Sequence, residues 1–203
     1  MTDVWYVAYG SNMHRERLTC YLTGGTPEGA ARPHPGARDP RPPRRAVPVE
    51  PAGEMYFAQE SDLWGGGRAF YDPAARGVVW GRAYLMGAGQ FADIAAQEMG
   101  RAPGRDLDLG GVLATGRDAL GPGRYETLVH PGDLEGAPLL TFTAPWGLAD
   151  ADLNAPSEAY LRHLGRGLLE AGGRDTPAVA AYLAGRPGAA GRWSAEEVER
   201  LLR

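Results

Sequence analysis

Residues 4–13, Val4-Trp5-Tyr6-Val7-Ala8-Tyr9-Gly10-Ser11-Asn12-Met13, decide how the rest of the chain is read. The first six are β-branched, aromatic or small, with no polar alternation, which marks a strand apolar on both faces and therefore buried. Gly10-Ser11-Asn12 breaks it sharply. From Met13 to Leu22 the pattern becomes helix-compatible, with Leu18, Tyr21 and Leu22 on one side. Ser11 or Asn12 can cap that helix, and Glu16 supports its start. Strand, tight turn and helix in succession point backbone N–H groups at whatever lies beyond the strand. The turn has two readings. It is a connection that needs a glycine, or it is a cradle for a carboxylate or phosphate. It is not a phosphate-binding P-loop, because no Gly-Lys-Ser/Thr follows.

Working outward, Thr26 to Pro48 is crowded with proline and arginine and reads as a loop or an extended edge, never a helix. Its run Arg38, Arg41, Arg44, Arg45 is either a solvated face or a patch for an anionic partner. Met55–Ala58 and Arg68–Tyr71 are short strands on either side of Gly65-Gly66-Gly67, beside which Trp64 is a pocket lip or ordinary packing. Gly77 to Met86 reads as a strong strand.

Ala88 to Met99 is the best helix in the chain. Phe91, Ile94, Ala95 and Glu98 share one face by i, i+3, i+4, i+7 spacing, and Gly100 stops it. Glu98 thus continues an apolar stripe. It is either the partner of an arginine or a desolvated acid/base group, since burial raises a carboxylate's pKa. Further on, Leu109 to Leu120 is helix-compatible, and Tyr125–Val129 with Pro138–Phe142 form a hairpin pair. A helix beginning at Asn154-Ala155-Pro156-Ser157 runs to Leu169 with Pro156 early in it. Two more helices follow, Thr176–Ala184 and Ser194–Leu202, the last with a capping box from Ser194 to Glu197.

Composition bounds the function. The 203 residues suit one domain, or one domain with a short appendage, and the apolar (43%) and charged (23%) fractions are those of a globular protein. Every basic residue is arginine, which reads as GC-rich coding bias. A net charge of −4 argues against broad nucleic-acid binding. One cysteine, Cys20, excludes an internal disulfide and a multi-cysteine zinc site, and no histidine pairs with another at metal-ligand spacing. Cys20 reads as packing, and His14, close to the turn, as a pocket-rim candidate. With no leader and no membrane-length apolar run, the expectation is a cytoplasmic protein off the membrane, a monomer or homodimer.

The motifs, taken in order, resemble the gamma-glutamylcyclotransferase-like family. Val7-Ala8-Tyr9-Gly10-Ser11-Asn12-Met13 is similar to its YGSN signature. Ala69-Phe70-Tyr71-Asp72-Pro73 with Gly77-Val78-Val79-Trp80-Gly81 resembles its paired central strands, and Gln97-Glu98 before Gly100 the helix end bearing its catalytic glutamate. Gly123-Arg124-Tyr125 and Ala155-Pro156-Ser157-Glu158-Ala159-Tyr160 resemble the segments that supply active-site tyrosines. The match covers residues 4–165; an insertion at 101–124 and the tail 166–203 depart from it.

The resemblance implies an α+β fold, a mixed sheet closing into a partial barrel with surrounding helices. Its division is a family domain at 1–165 and a C-terminal helical extension at 166–203 packed on it. The implied activity is a lyase or acyltransferase reaction on a small gamma-glutamyl amide, releasing 5-oxoproline and an amine without metal or organic cofactor. Glu98 is the implied general acid/base. Tyr9, Gly10, Ser11, Asn12, Met13, Tyr125 and Tyr160 are the implied substrate-binding residues, the active site lying where the first strand ends. An amidase or deacylase on the same scaffold and a non-catalytic binding module are the rival readings.

Overall fold

The computed structural model describes residues 2–27 and 33–203; the part of the proline-rich segment at 28–32 lies outside the described residues. The described residues fall into two compact units, the first within Met1–Ala8, Glu16–Val47 and Ala83–Pro145, the second within Tyr9–Arg15, Pro48–Arg82 and Trp146–Arg203.

The first unit is built on strand β1 (Asp3–Ala8), where Val4, Trp5, Tyr6, Val7 and Ala8 are all buried, as a strand without alternation requires. It pairs in parallel with β8 (Ala137–Thr143), Trp5 opposite Leu139 and Tyr6 opposite Leu140. With β2 (Arg45–Val49), β5 (Gly81–Gly87), β6 (Arg117–Ala119) and β7 (Thr127–Leu134), they form a six-stranded sheet ordered β2-β5-β1-β8-β7-β6. The sheet is open, with β2 and β6 at its edges, so the expected partial barrel does not form. Edge strand β2 comes from the proline-rich segment and tolerates Pro48 for that reason. The Tyr6 ring anchors the core, 5.5 Å from Phe142, 5.9 Å from Phe91 and 6.3 Å from Tyr84. Each such burial contributes about 1.5–3 kcal/mol.

Helix α1 (Arg15–Thr23) turns Leu18, Tyr21 and Leu22 inward. Helix α2 (Ala88–Glu98) buries Phe91, Ile94 and Ala95 and ends where Arg101 N–H returns to the Ala96 carbonyl around Gly100. The expected helix at 109–120 is cut short. Gly116 takes φ +82°, ending α3 (Gly110–Thr115), and 117–119 pair with β7 instead. The strand expected from Gly77 starts at Gly81, because Val79 N–H is taken by the Pro51 carbonyl.

The second unit holds the hairpin β3 (Glu54–Ala58) and β4 (Arg68–Asp72), with Tyr56 opposite Phe70. Its helices are α4 (Glu158–Ala171), α5 (Thr176–Ala184) and α6 (Ala195–Leu202). Ser157 caps α4 through the Tyr160 N–H, so Pro156 lies before the helix and not within it. The capping box at Ser194 and Glu197 forms as expected. Helix α4 runs unbroken across position 165, and α5 and α6 pack on it.

Asp93 is a buried charge the apolar pattern of α2 does not announce. Its side chain is fully buried and accepts from Arg38 N–H (2.8 Å), Arg38 Nε (3.0 Å) and Gly104 N–H (2.9 Å). Burial raises its pKa, but the Arg38 and Gly104 bonds outweigh that and hold the carboxyl below its ordinary value. The rest of the arginine run is also paired, Arg41 with Asp39, Arg44 with Asp3 and Arg45 with Glu135, which favours the solvated-face reading. Asp93→Ala is expected to cost about 2–4 kcal/mol in urea denaturation, by removing the acceptor of buried donors. The Asp93 pKa is lowered in the folded state. Its stabilisation is therefore present above ~pH 4 and lost as pH falls through the folded value. Asp93→Asn should flatten the acid limb of the stability profile below ~pH 4, and an unchanged limb would show the carboxylate contributes nothing.

Candidate active site

Two constellations carry the chemistry-bearing residues, one in each unit. In the second unit the chain passes from Tyr9 into a 3-10 turn, Ser11–Met13, and not directly into an α-helix. His14 is extended (φ −73°, ψ 119°) and α1 begins only at Arg15. The N–H groups of Met13 and His14 return to the carbonyls of Gly10 (3.0 Å) and Ser11 (3.2 Å). The expectation of an α-helix N-terminus at this turn is thus corrected. Any anion held here meets the backbone of a short turn without a macrodipole behind it.

What fixes the turn is helix α4. A Cβ at Gly167 would stand 2.9 Å from Met13 Cβ and 3.0 Å from His14 N, so the helix backbone rests directly on the turn. One turn earlier, His163 Nε2 lies 3.0 Å from the Ser11 carbonyl, which makes it the donor there. One turn later, Glu170 accepts from Arg15 N–H (3.2 Å) and pairs with Arg82 (2.9 Å), whose Nη1 also donates to the Met13 carbonyl (3.2 Å). Burial pushes the Glu170 pKa up, but Arg82 and the Arg15 N–H hold it below the usual carboxylate range. Met13 and Asn12 are buried, while Gly10 and Ser11 keep partial exposure.

Tyr160, third residue of α4, is buried and aims its hydroxyl at Gly10. A Cβ there would meet that oxygen at 3.6 Å, and Ala69 N–H donates to it at 3.3 Å. Trp64 stacks on Tyr160 (5.6 Å, 24°) and lies 4.7 Å from the His163 ring, which is itself 4.9 Å from His14. Tyr9 is buried against Tyr71 at 5.7 Å. Tyr9 to Met13 and Tyr160 are therefore brought together within one unit, with Trp64 and His14 beside them.

In the first unit Glu98 is the last residue of α2, half-buried where the apolar stripe had implied deeper burial. Burial first, and then the neighbouring Glu98 carboxylate, push the Tyr21 phenol of α1 well above its ordinary pKa, with Arg17 opposing. The Tyr21 ring is flanked by His34 at 3.8 Å and by the Arg17 guanidinium at 5.8 Å. Burial, with Arg17 beside it, lowers the His34 pKa against the opposing pull of Glu98 and a Gln97 hydrogen bond, so the ring is neutral at pH 7. Gln97 Nε2 ties the last turn of α2 to the Tyr21 carbonyl (3.0 Å). Tyr125 sits in the turn before β7 with its ring edge-on to Phe142 at 6.2 Å. The Glu126 that follows it pairs with Arg101 and closes the 101–124 segment at its base.

Sequence reasoning missed Tyr21, His34, Arg17, His163, Arg82 and Glu170. Tyr21 was read as core, and nothing in spacing links it to Glu98. Among the described residues no three His, Cys, Asp or Glu side chains converge to hold a metal ion, and no helix is long and apolar enough to cross a membrane.

The glycines make a separable pair. Gly167→Ala is expected to lower stability by about 1–3 kcal/mol, because a Cβ must displace the turn's backbone. Gly10→Ala meets only ordinary contacts, so its melting temperature should stay within ~2 °C of wild type, while affinity for any ligand on the turn falls. Equal destabilisation by both, read by thermal unfolding, would contradict this account of the turn.

No family model matches the chain. It is 30% identical to "Histone deacetylase 5" of Arabidopsis thaliana over 89% of its own length, but it spans only 30% of that curated relative, whose named activity is not transferred to it. Among solved structures, one titled "Gamma-glutamyl cyclotransferase" aligns over 98% of both chains at 17% identity with a TM-score of 0.49, which by itself supports no argument. An uncharacterised protein from Homo sapiens aligns over 100% of this chain and 99% of its own, at 16% identity and a TM-score of 0.51. The chain shares its α+β fold with that human protein, and the likeness establishes fold alone.

Proposed function

We propose that this protein is a cofactor-independent gamma-glutamyl cyclotransferase, converting a gamma-glutamyl amide into 5-oxoproline and a free amine. The observation that carries the reading is the supported turn at 10–12, with the Tyr160 hydroxyl over Gly10. A rigid stretch of small-residue backbone suits the α-carboxylate shared by every gamma-glutamyl compound. The family resemblance of this turn and of Glu98 supports the assignment.

The chemistry asks little of the protein. The substrate's α-amine is tethered at the distance that closes a five-membered lactam, so no covalent enzyme intermediate is needed. Glu98 takes a proton from the α-ammonium. The freed nitrogen lone pair attacks the γ-carbonyl carbon and forms the new C–N bond. As the tetrahedral intermediate collapses, the bond to the departing nitrogen breaks, Glu98 returns its proton to that nitrogen, and the second proton of the attacking nitrogen follows by the same route, so that the lactam is neutral and the amine leaves as an ammonium ion. Tyr160 and Tyr125 orient the substrate by hydrogen bonds, and Ser11 with Gly10 and Asn12 receives the carboxylate.

Glu98→Gln keeps size and hydrogen bonding but cannot accept a proton. Against a panel of gamma-glutamyl amides it is expected to lose about 10²–10⁴-fold in turnover with its melting temperature unchanged. Retention of a tenth or more of wild-type 5-oxoproline release would remove Glu98 from this role.

A further inference from the structure

We propose that Trp64 is the specificity-determining residue for the departing half of the substrate, its indole forming the wall on which an aromatic or bulky apolar amine lies. The role rests on the cyclotransferase reading above and is argued within the second unit alone.

The indole is carried by the loop between β3 and β4, where Gly65, Gly66 and Gly67 follow it directly. The last two are contact requirements, not slack. A Cβ at Gly66 would collide with the Ala155 carbonyl oxygen and one at Gly67 with that of Asn154, so the loop lies flat on the segment leading into α4. Glu60 straps it down, accepting from Gly66 N–H (2.6 Å) and Asn154 Nδ2 (2.9 Å). Trp64 itself is pinned through both of its backbone groups. Its N–H donates to Ser61 Oγ (3.1 Å), and its carbonyl accepts from Ser157 Oγ (2.7 Å). The same Ser157 oxygen accepts from Tyr160 N–H (3.2 Å), so one hydroxyl sets the register of both residues. Their rings are then stacked at 5.6 Å and 24°.

Beyond Tyr160 the aromatic surface continues. Trp64 lies 4.7 Å from His163, and His163 lies 4.9 Å from His14. These three rings are half-buried, whereas Tyr160 is fully buried. They border the part of the turn that keeps exposure, because the Tyr160 hydroxyl reaches Gly10 and His163 bonds to the Ser11 carbonyl. A ligand whose carboxylate sits on that turn meets these faces with the rest of its length. One half-exposed aromatic is ordinary on a surface; a row of them on a pinned loop and helix has the composition of a small-molecule site. Aromatic faces favour planar and apolar groups, and a wall fixed before binding costs little ordering entropy. The chemistry therefore selects amides of aromatic or bulky apolar amines over amides of small ones.

The test compares gamma-glutamyl benzylamide with gamma-glutamyl methylamide in the full chain, with 5-oxoproline release measured for each. Both share the glutamyl end and both lose an alkylamine, so the ratio of their kcat/KM values reads the distal contact. Whatever Trp64 does for Tyr160 cancels in that ratio. Wild type is expected to favour the benzylamide by about 10-fold, chiefly through KM. Trp64→Leu, its fold checked by thermal unfolding, should bring the ratio close to one, and Trp64→Phe, which keeps an aromatic face, should retain most of it. A wild-type ratio near one overturns the proposal without any variant, as does a ratio that folded Trp64→Leu leaves unchanged. Either result keeps 5-oxoproline release, and so the cyclotransferase reading, intact. Absence of 5-oxoproline from the wild type with every amide overturns that reading and the specificity role with it.

Discussion

The contact on which the second unit's turn depends is the one made possible by the missing side chain at Gly167. Without a Cβ there, helix α4 lies directly on the turn from Ser11 to Met13. Every other support of the turn follows from that approach. His163 and Glu170 stand one turn to either side on the same helix face, by i, i+3, i+4 spacing, and reach Ser11 and Arg15. Arg82 is drawn to Glu170 and completes the set through the Met13 carbonyl. A short turn of three residues has little stability of its own. Here it is clamped from its flanks, and Gly10 and Ser11 are left partly open.

The first unit solves a different problem with the same economy. Glu98 ends α2 half-buried, with the Tyr21 phenol of a neighbouring helix beside it. The neutral His34 stacked on that phenol adds rigidity without adding a competing charge.

Much of the fold was legible because it rests on local pattern. Unbroken apolarity from Val4 to Ala8 marked a central strand, the spacing of Phe91, Ile94 and Ala95 marked α2, and Ser194 with Glu197 marked the start of α6. Errors arose where a long-range partner overrode the local signal. Val79 was claimed by Pro51 and left the strand it seemed to begin. Residues 117–119 joined β7 once Gly116 had ended the helix. The open sheet was invisible because closure depends on which strands meet, not on any one strand. In the candidate sites, the motifs pointed to Glu98, Gly10 and Tyr160. They did not point to Tyr21, His34 or Gly167, since each acts through a contact between segments that no spacing along the chain records. Asp93 was missed for the same reason, its partner Arg38 lying 55 positions away.

The central claim is that the substrate's own amine, and not water, attacks the γ-carbonyl. Turnover of a gamma-glutamyl amide in H₂¹⁸O, with the products read by mass spectrometry, tests it most directly. Cyclisation predicts 5-oxoproline carrying no solvent oxygen. Glutamate bearing one ¹⁸O in its γ-carboxyl would contradict the account and make the protein a hydrolase.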